Sequence, residues 1–503
     1  VSLERKKINL TKILDPILSS GARASVETNH LCKTLQEVSP GSVFFAIKSE
    51  KFDGHSEIDQ AFSRGASACV VESPAVQPHC LQVSSTRKAW ALAHHAQQSE
   101  PTKDLFCVGV TGTNGKTSTT YFIEALLNAL GKSTGVIGTV DHHLGELKWP
   151  TSLTTPDAQE LFLRAGQMKA AGAQVLALEI SSHALDQERC AGLQLNVGVF
   201  TNLTRDHLDY HKDMDSYFQS KQKLFSELLS ESKKSLKAAV INADDPFGRK
   251  LSKIVNPAIP VVTFGQDPSN QAVFKVSESS LLQQKINLKF QGKVFDFVLP
   301  VVGEHNAYNA VAAVLAVQAV GFDLQKVIQN VAQCKGVPGR LQRVVFSESR
   351  APHVFIDYAH TPDALEKVLR TLQQFKEAKQ LKVLFGCGGD RDPGKRPLMA
   401  AVAEKHADIV FVTSDNPRAE DPEKIISEIV LGFAQREKVF VMADRRAAIK
   451  KIIDDSGPGD IVLIAGKGHE NYQIIGDSKL DFSDYEQSLS ALSRSYSYAN
   501  SNN

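Results

Sequence analysis

An excess of charge of either sign is almost missing from this 503-residue chain: 57 Lys and Arg stand against 56 Asp and Glu, a net charge of +1. No polybasic surface therefore speaks for nucleic acid or an anionic membrane, and neither is expected as a partner. Long apolar runs are missing too, since none approaches the ~20 residues that a membrane-spanning helix needs. The first stretch, VSLERKKINLTKILDPIL, carries charges without a continuous apolar segment and does not read as a signal peptide. Cysteine is sparse and unpatterned. The seven residues (32, 69, 80, 107, 190, 334, 387) form no C-x-x-C pair and are odd in number, so they read as reduced core thiols of a cytoplasmic enzyme. A hydrophobic share of 42% is ordinary for a chain with real cores, and at about 150 residues per domain the length suggests three domains.

Against that background one segment stands out. In LFCVGVTGTNGKTSTT (105–120), an apolar strand over Leu105–Val110 breaks into a turn holding Gly112 and Gly115. Lys116-Thr117 then opens an amphipathic helix to about Leu130. Backbone N–H groups freed by the glycines and the positive end of the helix make a phosphate cradle from Gly112, Thr113, Asn114, Gly115, Lys116, Thr117 and Ser118. Lys116 would reach the β- and γ-phosphates of ATP, and the Thr117 hydroxyl would meet Mg²⁺. The strict pattern asks for glycine at 110, where this chain has Val110; the segment resembles the TGTNGKT variant found in ATP-dependent amide ligases.

The chain reads as α/β throughout. Short strands (42–47, 68–73) and a helix at 58–64 fill the first part, up to about 102. The middle part alternates strands (174–180, 197–201) with helices (216–229), as a mostly parallel sheet does. It then turns β-rich over 258–302 and helical over 303–321. After the turn GVPGR (336–340) come strands at 382–386, 409–413 and 461–465 in a second nucleotide-binding-like domain. The expected domains are 1–102, 103–336 and 337–503. The tail SRSYSYANSNN reads as a frayed end without function.

Three clusters in the middle part carry chemistry. Glu179 ends a buried strand at the sheet's ligand-binding edge, where a carboxylate suits the Mg²⁺ that Thr117 also touches. The loop TNLTRDHLDYH (201–211) gathers Asp206, His207, Asp209 and His211. Of these His207 is the candidate metal ligand, with structural roles for Asp209 and His211. Lys221 lies on the following amphipathic helix, where a lysine by itself reads as an exposed charge whose loss would leave the fold intact.

Eight motifs occur together and in order: TGTNGKT, LEISSH, NLTRDHLDYH with its following lysine, GEHN, DYAHTPD, FGCGGDRDPGKRP, SDNPR and AGKGHE. The chain thereby resembles the Mur ligases over roughly residues 40 to 490. The resemblance implies an N-terminal α/β UDP-binding domain, a central P-loop ATPase domain and a C-terminal Rossmann-like α/β domain, in a monomer. It implies that Lys221 is carbamylated, a carboxylate on a long arm that helps place two Mg²⁺ ions. Carbamylation requires a neutral amine, so neighbouring positive charge would have to lower the pKa of Lys221. It implies phosphoryl transfer from ATP to a substrate carboxylate, with Lys116, Lys221 and His207 in the catalytic set. Asn306 would lie beside the adenine, and Arg340 and Asp357, with His360 less central, would meet the ATP phosphate and ribose. Closure of the last domain would then complete the site.

The same resemblance names the substrates: a UDP-N-acetylmuramoyl-dipeptide and meso-diaminopimelate. For the first it implies Thr154, Thr155, Ser181, Gln187 and Arg189, the arginine pairing with pyrophosphate or peptide carboxylate. The family's DSR triplet before Pro40-Gly41 is replaced by Thr34, Leu35 and Gln36, so no uridine contact carries over. For the second it implies Asp415, Asn416, Pro417 and Arg418, joined by Arg391, Gly466 and Glu470. Arg418 would fork onto the distal carboxylate, with Arg391 completing a buried arginine pair, and Glu470 would face the distal ammonium. A folate-polyglutamate ligase would share the phosphate loop and the lysine but not DNPR with GKGHE. A non-catalytic nucleotide switch would need only the loop.

Overall fold

Aliphatic and β-branched strands with both faces buried are what a parallel sheet covered by helices requires, and the strands of this protein follow that rule. The computed structural model describes residues 6–19, 25–49, 52–74, 79–375 and 379–497. The chain divides into two units: Val1–Val276 with Ile286–Phe297 and Ala307–Cys334, and Lys335–Asn503 with Ser277–Lys285 and Val298–Asn306.

The first unit holds two main sheets. Four parallel strands, Leu31–Cys32, Val43–Phe45, Ala68–Val71 and Cys80–Gln82, pair in chain order. The helix Thr86–Gln97 packs Ala89, Trp90 and Ala93 into the core. The larger sheet places Phe106–Thr111 between Val175–Glu179 and Val197–Phe200, all parallel. Thr134–Ile137 lies beyond the first of these, and Ala238–Asn242 and Val261–Gly265 beyond the second. From Phe106–Thr111 the chain first builds one side of the sheet and then crosses to the other. The phosphate-loop strand is thus the topological switch point, where ligands bind outside the strands' carboxyl ends. Two antiparallel strands missing from the sequence reading, His142–Leu144 and Leu147–Trp149, close one edge.

The second unit carries a six-stranded sheet in the order Gln342–Arg343, His353–Asp357, Ile461–Ala465, Leu381–Phe385, Ile409–Val412, Val439–Val441. All pairings but the first are parallel. Alternate residues feed two cores: Phe355, Val383 and Leu463 on one face, Ile356, Leu384 and Ile464 on the other. All these parallel strands end at one edge, so the loops after Asp357, Phe385, Val412 and Ala465 gather there.

The predicted elements lie within a few residues of those observed, with two differences. The helix expected over 216–229 is α-helical only over Met214–Lys223 and continues as a π-helix over Leu224–Leu229. The tail read as frayed is helical to Ser497, where Tyr496 donates its hydroxyl to the Ile453 carbonyl at 3.1 Å; the residues after Ser497 lie outside those described. All seven cysteines are free thiols, and all but Cys80 are buried. No helix among the described residues is long and apolar enough to cross a membrane.

Candidate active site

The phosphate loop follows Phe106–Thr111 and ends where the helix Lys116–Ala129 begins. Gly112 and Gly115 both have positive φ, and neither has room for a side chain. A Cβ on Gly112 would lie 1.9 Å from Thr201 Oγ1, and one on Gly115 2.3 Å from Asn309 Oδ1. The loop is braced by the segment after the next strand. Thr201 donates its hydroxyl to the Asn114 carbonyl at 2.6 Å, and the Asn202 amide oxygen accepts the Asn114 N–H at 3.0 Å. Part of the TNLTRDHLDYH loop is thus scaffold for the phosphate loop, a role that its carboxylates and histidines did not suggest. Lys116 donates to the carbonyls of Gly112 and Thr113, each at 2.9 Å, so its ammonium lies over the cradle.

Thr117 and Glu179 meet as expected: the hydroxyl donates to Oε2 at 2.9 Å, and Glu179 is fully buried. A residue that sequence reasoning missed completes this carboxylate. Thr139 donates its N–H to Oε1 at 2.8 Å and its hydroxyl to Oε2 at 2.9 Å. Paired hard oxygens on a buried carboxylate and a hydroxyl fit a Mg²⁺ ion. Among the described residues no three His, Cys, Asp or Glu side chains converge as a metal cluster, so Thr117 and Glu179 do not by themselves complete a coordination shell.

Lys221 is not the exposed charge its helix suggested: it is 1% exposed. Its Nζ donates to the Gly112 carbonyl at 2.8 Å and lies 4.6 Å from the centre of the Tyr217 ring. Burial, reinforced by the Lys116 charge and opposed by Asp206, lowers its pKa well below that of a free lysine. His207 takes a left-handed backbone conformation, φ 53°, with Nε2 3.5 Å from Asp206 Oδ2. Burial and the nearby Lys116 and Lys221 lower its pKa, against the pull of Asp206. Its ring lies edge-on to His183 at 4.9 Å, a histidine that the sequence reading did not single out although LEISSH contains it. His211 is buried between the hydroxyls of Ser182 at 2.9 Å and Ser220 at 3.3 Å.

The five residues assigned to the nucleotide-linked substrate form one connected network. The Thr139 and Thr154 hydroxyls lie 3.1 Å apart, while Thr155 donates to the Glu179 carbonyl at 2.8 Å and stands 3.3 Å from the Ser181 hydroxyl. Arg189 donates to the Thr155 carbonyl at 3.0 Å and twice to the Gln187 amide oxygen, at 3.0 and 2.6 Å. The candidate metal-binding oxygens and the candidate anion-binding arginine therefore share a single hydrogen-bonded frame.

In the second unit the DNPR segment is gripped from several sides. The Asn416 amide donates to Glu470 at 2.8 Å and accepts from the fully buried Lys467 at 3.1 Å and from Ile474 N–H at 3.0 Å. Lys467 also reaches Glu470 at 3.2 Å. The sequence reading passed over this lysine, though AGKGHE contains it. Gly466, at φ +113°, leaves no room for a Cβ, which would stand 2.5 Å from Asp415 Oδ2. Burial raises the pKa of Asp415, with Arg445 and Lys467 pulling it back. Pro417 is buried within the segment. Arg418 is only half-buried and donates to the Gly389 carbonyl at 2.8 Å, and Arg391 is exposed. The expected buried arginine pair is therefore not formed. Both loops follow strand ends and reach solvent, which relieves the arginines of any need for a buried counter-ion.

Asn306 donates to the Val302 carbonyl at 2.8 Å. Asp357 accepts the N–H groups of Leu341 at 2.6 Å and Ala359 at 2.9 Å, and burial lifts its pKa to about 6 despite Arg340 and these two bonds. Arg340 lies over the Tyr358 ring at 5.5 Å, its buried Nε without a partner. His360 is 2.8 Å from the Tyr358 carbonyl.

Residues 110–317 match the Mur ligase middle domain, and residues 339–468 match the Mur ligase glutamate ligase domain. A UDP-N-acetylmuramoyl-L-alanyl-D-glutamate–2,6-diaminopimelate ligase of Aquifex aeolicus is 44% identical over 451 residues, 89% of this chain and 90% of that protein. A solved structure of an enzyme with the same name is 34% identical, with a TM-score of 0.73 over 97% of this chain and 99% of that one. The MurF ligase of Thermotoga maritima, solved in complex with ADP, shares the fold: it is 20% identical, with a TM-score of 0.55 over 93% of this chain and 98% of that one.

Proposed function

From the premise that the chain belongs to the Mur ligase family, whose members use ATP, we propose an ATP-dependent amide ligase of peptidoglycan synthesis. It adds meso-diaminopimelate to UDP-N-acetylmuramoyl-L-alanyl-D-glutamate, the reaction named for its relatives. The observation that carries this reading is the continuous frame from Thr117 through Glu179 and Thr139 to Thr155 and Arg189. Such a frame would link a metal-bound phosphate to an anionic acceptor.

Chemically, the acceptor carboxylate attacks the γ-phosphorus of ATP, the bond to the β-phosphate oxygen breaks, and an acyl phosphate forms. The amine of diaminopimelate then attacks the acyl carbon, and phosphate leaves. The N–H groups of the phosphate loop hold ATP, and Lys116 offsets the charge that grows on the transferring group. Mg²⁺, held by Thr117 and Glu179, would supply further charge neutralisation. The lowered pKa of buried Lys221 supports its carbamylation, since the amine must be neutral to react with CO₂, and the resulting carboxylate would supply the oxygens that an amine lacks. His207 is proposed as an additional ligand. Arg189 orients the acceptor with Gln187, while Asp415, Asn416, Arg418, Gly466, Glu470 and Arg391 receive the diaminopimelate. Asn306, Arg340 and Asp357 are proposed to meet the adenosine and phosphates. The division into UDP-binding, ATP-binding and amino-acid-binding domains at about residues 102 and 336, the monomeric state and the cytoplasmic location belong to the same proposal.

Phosphate release tests it. Release should require ATP, the UDP-linked dipeptide and meso-diaminopimelate together. No phosphate release with all three present would instead leave a non-catalytic nucleotide switch.

A further inference from the structure

Arg396, on the helix Lys395–His406, is 1% exposed, and a guanidinium so placed is tolerated only when well paired. Its Nη1 donates to Glu428 at 2.6 Å, and its Nη2 to both carboxylate oxygens of Glu420 at 2.9 and 3.0 Å. Glu420 does more than pair with it, because its Oε1 also accepts the Asp390 N–H at 2.6 Å. Asp390 answers across the same gap, accepting the Ala419 N–H at 3.2 Å. Gly389 N–H donates to the Asn416 carbonyl at 2.9 Å, and Arg418 Nη1 to the Gly389 carbonyl. The contact leaves no slack: a Cβ on Gly389 would stand 1.9 Å from the Pro417 carbonyl oxygen.

Two residues of these apposed loops, Asp390 at φ 53° and Arg418 at φ 52°, occupy the left-handed region that non-glycine residues rarely adopt and that surrounding structure must enforce. One is the neighbour of Arg391 and the other is the candidate fork itself. We propose that Arg396 is a positioning residue for the amino-acid site: through Glu420 it locks the Gly388–Asp392 loop against the Asn416–Glu420 loop and so fixes the separation of Arg391 and Arg418. The inference rests on reading those loops as the meso-diaminopimelate site. Arg396 itself, within the core, touches no substrate. Two guanidinium groups on mobile loops would bind one carboxylate poorly; held at a fixed spacing, they lose little freedom on binding.

The test uses the full chain with Glu420→Gln and Arg396→Lys. Glutamine keeps an acceptor for Asp390 but gives up the ionic fork, and lysine cannot hold two carboxylates as a planar fork does. The KM for meso-diaminopimelate should rise about tenfold or more, while those for ATP and the UDP-linked dipeptide stay within about twofold. Hydrogen exchange, read without any substrate, should quicken together at the amides of Gly389, Asp390, Arg418 and Ala419. If Arg396→Lys fails to fold, Glu420→Gln decides alone, its side chain being 25% exposed. A melting-temperature loss with unmoved exchange and unmoved meso-diaminopimelate KM would reduce Arg396 to a core ion pair and overturn the proposal. Coupled exchange in an enzyme whose wild type releases no phosphate with meso-diaminopimelate would instead contradict the substrate reading and leave the clamp standing.

Discussion

At the scale of single residues, the two lysines near the cradle differ in what surrounds them. Lys116 rests on loop carbonyls, and the loop N–H groups can hold phosphates without it. Lys116→Ala should therefore lower kcat by roughly 10²–10³, the scale of losing one transition-state charge, with a much smaller change in the KM for ATP. Steady-state kinetics would contradict this if ATP affinity collapsed while turnover at saturation stayed the same. Lys221 is buried, so its truncation removes packing against Tyr217 as well as a functional group, and the alanine variant should melt at a lower temperature than wild type. Lys221→Ala should still abolish ligation, and short carboxylic acids should restore part of it by supplying the missing oxygens. Full activity without rescue would exclude a carbamate. Arg418, half-buried and already oriented by Gly389, should be needed as a fork. Arg418→Lys should raise the KM for meso-diaminopimelate by about tenfold or more and leave the KM for ATP nearly unchanged.

At the scale of elements, the strand–turn–helix of the phosphate loop was legible because an apolar run, two glycines and a lysine each demand the same local geometry. The end of the strand Val175–Glu179 was legible for a similar reason, since a carboxylate closing a buried run needs a partner. Thr139 was not: a threonine after an apolar strand carries no signal until the fold brings it to Glu179. Nor was the burial of Lys221, because the pattern of a helix gives its apolar face but not what comes to cover its polar one. The strand His142–Leu144 escaped notice too, and it carries a testable charge. Burial opposes ionisation of His143, yet Asp141 at 2.6 Å and Glu124 at 3.0 Å outweigh it and raise the pKa to about 9. The folded pKa lies above the ordinary value of about 6.5, so the stabilisation is complete below that pH and is lost as pH rises through about 9. Between pH ~7 and ~10 the melting temperature of wild type should fall by more than that of His143→Gln. Parallel curves would show that the two carboxylates do not hold the proton.

At the scale of the whole molecule, balanced charge and the absence of long apolar runs narrowed the class, and eight ordered motifs named the family. What the motifs carried poorly was exposure. Arg391 and Arg418 were expected as a buried pair, but loops that leave a sheet edge end in solvent, so their selectivity must come from geometry and not from an unpaired buried charge. In the proposed clamp that geometry comes from Glu420, which lies outside the motifs, and from Asp390 and Arg396, which FGCGGDRDPGKRP contains but to which no role was given. The measurement that weighs most is the ratio of kcat/KM for meso-diaminopimelate to that for L-lysine, by phosphate release from the wild-type protein with ATP and the UDP-linked dipeptide saturating. A site built around a second carboxylate, with its arginines open to solvent, should prefer meso-diaminopimelate by a factor on the order of 10². L-lysine used within about tenfold of meso-diaminopimelate would contradict the assignment of Asp415–Arg418 as a diaminopimelate site.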